Sequence, residues 1–177
     1  MSYFAAAAVR GSDGWSAAEV DLGGVADIEE VADRLRDVDT EAPVSLLFVE
    51  SDDTYLVILR LDDGEDLRVF GSDGAFAEES RLGALLLGDV ETALPDIDRV
   101  VVTGAADGDG EVDEQPVPPN GPDIEPIGDA ELLSDLGLPA LRLIALCAQE
   151  GMLPADLTAE VCVAIGAGEA IDRIREA

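Results

Sequence analysis

The chain has 177 residues, of which 40 are Asp or Glu and 10 are Lys or Arg, so its formal charge at neutral pH is −30. All ten basic residues are arginines and histidine is absent, which excludes a histidine base, a histidine metal ligand and a lysine Schiff base. The 47% hydrophobic content is enough to fill a core, so disorder throughout is excluded as well.

In chain order, Tyr3 to Arg10 and Gly14 to Leu22 read as strands joined through Gly11, Ser12 and Asp13 into a hairpin. Asp27 stands three residues before Glu30, a capping-box spacing, and Ile28, Val31, Leu35 and Val38 follow at helical intervals. After Pro43, Val44 to Glu50 and Thr54 to Leu61 read as strongly apolar strands across the turn Ser51, Asp52 and Asp53. Leu67 to Gly71 adds a third strand after the acidic turn Asp62 to Asp66. Asp73 can cap a helix from Gly74 to about Ser80, Leu82 to Leu87 reads as helix rather than strand, and Val100 to Thr103 offers an edge strand. This order predicts an α+β fold, an antiparallel sheet with helices on one face.

Gly104 to Pro126 holds five of the nine prolines, four glycines and seven acids, with Val112, Val117 and Ile124 as its only large apolar residues. Such a segment cannot repay the entropy of ordering it and predicts a disordered acidic linker spanning on the order of 30 Å. Beyond it, Asp129 caps a short helix bearing Leu132, Leu133 and Leu136 and stopped by Gly137. Pro139 and Pro154 each open another helix, and a last turn carries Ile171 and Ile174. The predicted organisation is an α+β domain over 1–103, a linker over 104–128 and a small helical carboxy-terminal unit over 129–177, with the two flanks free to move independently.

Chemistry-bearing patterns are few. Asp107, Asp109, Glu111 and Asp113 alternate as at the start of an EF-hand loop. Val112 stands where that loop needs glycine, and Pro118 where it needs a bidentate glutamate. Cys147 and Cys162 fall on helices among Leu, Ile and Val, where desolvation makes a thiol a poor nucleophile. The serines lack a histidine partner, and no G-x-S-x-G elbow or phosphate-binding glycine loop occurs. The sequence therefore assigns no catalytic residue, cofactor or metal ligand, and predicts a protein that is not an enzyme. Phe4 to Val9 lacks the basic flank of a signal peptide, and no run reaches the ~18 to 20 apolar residues of a membrane span. A reducing, cytoplasmic location is expected. The charge, −15 over residues 1–90, −9 over 91–128 and −6 over 129–177, leaves no portion basic. That opposes direct nucleic-acid binding and suits a basic protein partner.

The opening YFAAAAVR, the pair VSLLFVE and TYLVILR, RVFGSD followed by RLGALLLGDVE, and the closing LLSDLGL and LCAQEGMLPAD resemble the actinobacterial family of tRNA adenosine deaminase-associated proteins. The resemblance covers both flanks of the linker. It implies an association by gene neighbourhood with the enzyme that converts adenosine to inosine in tRNA. The chain is not that deaminase, whose zinc site needs H-x-E and P-C-x-x-C elements that this sequence lacks. The expected role is a non-catalytic accessory that contacts the deaminase's basic surface, with Leu141, Ile144, Val161 and Ile165 as candidate partner contacts. The alternative is a stand-alone acidic domain that binds a small ligand or dimerises, unrelated to tRNA.

Overall fold

Two runs, Val44–Ser51 and Tyr55–Asp62, carry large apolar side chains at consecutive positions, and strands of that kind need cover on both faces. The computed structural model describes residues 3–51, 54–73, 80–87, 126–149 and 151–176. In it, these runs form β3 and β4 near the middle of a six-stranded antiparallel sheet ordered β2-β1-β3-β4-β5-β6. The other strands are β1 (Tyr3–Gly11), β2 (Gly14–Glu19), β5 (Asp66–Gly71) and β6 (Ile127–Gly128). The α+β class and the antiparallel meander predicted from sequence are those observed. The proposed helix over 74–80, apart from Ser80, the edge strand over 100–103 and the linker up to residue 125 lie outside the described residues.

Register places alternate residues on opposite faces. In the β3–β4 pair, Leu47 lies opposite Leu59 and Phe48 opposite Ile58, so one pair faces each way. The first face gathers Ala5, Ala7, Leu47, Val49, Val57, Leu59 and Val69. It is covered by α1 (Ile28–Val38), through Val31 and Leu35, and by Leu86 and Leu87 of α2 (Arg81–Leu87). Helix α1 starts as its sequence predicts. The Asp27 carboxylate accepts from the Glu30 amide at 2.9 Å, and the Glu30 carboxylate accepts from the Ala26 amide at 2.6 Å. Arg36, near the other end, donates Nε to the Gly64 carbonyl at 2.8 Å and so ties the helix to the β4–β5 turn.

The second face gathers Ala6, Ala8, Leu46, Phe48, Leu56, Ile58 and Phe70, and its cover comes from the far end of the chain. Helices α3 (Ala140–Cys147), α4 (Pro154–Ile165) and α5 (Gly168–Glu176) close over it with Leu132, Leu133, Leu138, Leu143, Leu157, Val161 and Ile171. The carboxy-terminal helices and the sheet thus share one core, where the sequence reading expected two flanks moving independently. The reason is the apolar second face of β3 and β4, which among the described residues is covered chiefly by those beyond 125.

Two further differences are local. Ile127 and Gly128, assigned to the linker from sequence, pair with Gly71 and Phe70 as β6. Gly128 has φ 92°, and a Cβ there would stand 2.1 Å from the Val69 carbonyl oxygen, so only glycine fits. The short helix expected after Asp129 is instead a turn followed by one 3-10 turn, Ser134–Leu136. The Leu132 carbonyl that an α-helix would offer to the Leu136 amide is held by Arg60, and that amide bonds Leu133. Gly137 closes the turn at φ 111°, as expected.

Arg60 fastens the two halves. It projects from β4 on the second face and is only 4% exposed. Its guanidinium donates to Asp62 at 2.9 Å, to the Leu132 carbonyl, and to both oxygens of Asp135, the Nη2 bond measuring 2.8 Å. Arg68, its cross-strand neighbour on β5, shares Asp62 at 2.8 Å and lies 3.6 Å from Asp129, so the two adjacent cations are neutralised by three aspartates. A second fastening joins α5 to the sheet. Arg175 pairs with Glu50, and its guanidinium lies 5.2 Å from the centre of the Phe4 ring.

Three outcomes follow from this packing. Arg60→Ala should lower the unfolding free energy by about 3 kcal/mol, because it removes charge-assisted bonds and strands a buried carbonyl. Asp135→Ala should cost only about 1 kcal/mol, since that carboxylate is 60% exposed; urea unfolding of both variants measures the difference. The Arg60 hydrogen bond foremost holds the Asp135 carboxyl below its ordinary value of 3.8. Its contribution should therefore be complete above that value and lost as pH falls through the lowered one. The stability gap between the natural chain and Asp135→Asn should be level above about pH 5 and close in acid, as a pH series of urea melts would show. Deleting residues 126–177 should bare Phe48 and Ile58, giving a chain that binds an apolar dye strongly or precipitates; a truncated chain as soluble and cooperative as the whole would contradict the shared core.

Candidate interaction surface

Catalytic groups do not converge on the described surface. Cys147 and Cys162 are buried, and desolvation pushes both thiols up to about 12, so neither is a thiolate near neutrality. Among the described residues no group of three or more acids and cysteines is arranged to hold a metal ion. A groove of about 570 Å³ lies under the β1–β2 turn, lined by Gly11, Ser12, Asp13, Asp39, Glu41 and Pro43. Its carboxylates would repel an anionic substrate, and its serines have no histidine in the chain to activate them.

Five of the ten arginines are paired within the fold. Arg34 binds the carbonyls of Asp21 and Gly23, Arg36 binds Asp33 and Gly64, and Arg60, Arg68 and Arg175 make the fastenings already described. Asp21, which accepts from the Gly23 amide at 2.7 Å and from the Tyr3 hydroxyl at 3.2 Å, is held below the ordinary carboxylate value chiefly by that amide. The charge that a partner meets is predominantly carboxylate, with Arg10, Arg81, Arg142 and Arg173 exposed among it. Glu131, Asp135, Asp156, Glu160, Glu169 and Asp172 are all exposed around the carboxy-terminal helices.

The structure divides the four candidate contact residues. Leu141 is 56% exposed and Ile144 half-buried, both on α3. Val161 and Ile165 face the sheet from α4 and belong to the core. They are buried because Leu157, Val161 and Ile165 follow at intervals of four, which makes them the inward stripe of that helix. Sequence reasoning missed Val163, 70% exposed, and Leu153, 47% exposed. The signal for Val163 was present, since a residue two positions from Val161 lies on the opposite side of a helix.

No curated protein and no solved structure matches the chain. A family does. The model of the family described as Rv3753c-like tRNA adenosine deaminase-associated protein matches residues 3–168, from the start of β1 to the start of α5, and so takes in the sheet and the helices on both of its faces. Within the described residues no helix is long and apolar enough to cross a membrane. With the match extending over nearly the whole length, the chain belongs to the family of Rv3753c-like tRNA adenosine deaminase-associated proteins.

Proposed function

We propose that the protein acts without catalysis as an accessory of tRNA adenosine deaminase, in the cytoplasm, and approaches a basic surface of that enzyme through its own acidic one. The observation that carries the reading is the charge of −30, on a chain of which no part is basic. An enzyme that holds tRNA needs a basic face, since affinity for nucleic acid is built on phosphate neutralisation. A partner this acidic would be drawn to that face and kept from the RNA itself. The lack of histidine and lysine, with both thiols buried, supports a role in binding rather than in a reaction.

The reading is tested with the purified deaminase from the same source. The association rate should fall roughly tenfold or more as salt rises from about 50 to about 500 mM. A rate indifferent to salt would refute steering, and the absence of a complex at low salt between two folded proteins would refute the accessory role.

A further inference from the structure

In a chain where 40 of 177 residues are acids, residues 136–149 contain none, and Arg142 is their one charge. This window holds α3. Leu143 and Cys147 turn inward to the core, while Leu141, Ala145 and Ala148 are exposed and Ile144 sits half-buried at their margin. At about 100° per residue, positions 141, 145 and 148 fall within an arc of about 60°, so they form one outward stripe running the length of the helix. Exposed acids flank the window in the chain on both sides, Glu131 before it, Asp156 and Glu160 after it.

We propose that this outer face of α3 is the docking surface, and that its occupant is a partner protein offering an apolar groove bordered by Arg or Lys. The inference rests on the accessory reading above and gives it a location. An apolar patch on a strongly acidic molecule can divide the work of an interface: the patch slows dissociation, and the molecule's charge sets approach. Charge selects the occupant. A second copy would bring another chain of charge −30 against this one, whereas a basic partner is attracted to it. Val161 and Ile165 play no part, because the core already holds them.

The test measures the full-length chain against the purified deaminase at low salt. Leu141→Asp combined with Ala145→Asp should raise Kd at least about a hundredfold, nearly all through faster dissociation, with the association rate within about threefold of the natural one. Leu141→Ser alone, a milder change at an exposed position, should raise Kd about tenfold. Val163→Asp, at an exposed position on α4, should leave Kd within about threefold, and unchanged circular dichroism would confirm that each variant is folded. If the natural chain binds and the α3 variants bind as tightly, the docking surface is overturned while the accessory role stands. If the natural chain does not bind, both fall. If it sediments as a dimer that the α3 variants convert to monomer, the occupant is a second copy and the basic partner is overturned.

Discussion

A sheet whose central strands are apolar on both faces cannot stand in water with one face covered. That constraint sets the rest of the architecture. Leu46, Phe48, Leu56 and Ile58 are as completely buried as Leu47, Val49, Val57 and Leu59 on the other side, and burying each such side chain is worth about 1.5 to 3 kcal/mol. Helices α1 and α2 come from the same stretch of chain as the strands and serve one face. The other is served from beyond residue 125, so the carboxy-terminal helices complete the core rather than add to it.

Apolar cover alone sets no register, since greasy surfaces can slide with little loss. Arg60 supplies direction. It is buried on the face that receives the helices, and its two Nη groups are met only when the Leu132 carbonyl and the Asp135 carboxylate arrive together. A buried guanidinium is costly if its partners are missing, so displaced dockings are penalised more than the correct one is favoured. The same contact trims the segment before it. With the Leu132 carbonyl engaged, the chain there makes a turn and a single 3-10 turn instead of a longer helix.

Much of this was legible in the sequence. The capping pair Asp27 and Glu30, the hairpin at Gly11 to Gly14, the glycine stop at 137 and the helix openings at Pro139 and Pro154 all rest on local rules, and local rules survive folding. What local rules could not give was the destination of the carboxy-terminal helices. The clue lay in the unbroken apolar runs of VSLLFV and YLVILRL, which lack the alternation of a half-exposed strand and so call for a second layer. For the candidate contacts, helical spacing told which residues share a side, but not which side faces the sheet. Spacing alone therefore groups Val161 and Ile165 with Leu141, although of these three only Leu141 faces water.

The separation in sequence between the sheet and its second cover bears on how the protein is made. Strands β1 to β5 and helices α1 and α2 are complete by residue 87, while the helices that close the second face begin after residue 125. A ribosome adding about 5 to 20 residues each second therefore releases the sheet several seconds before its cover. During that interval the bare face is a target for chaperones or for neighbouring nascent chains, and the charge of −15 on the first 90 residues provides the repulsion that keeps such chains apart. Acidity in this half is thus useful before the protein has finished folding, at a stage when no partner enzyme need be present.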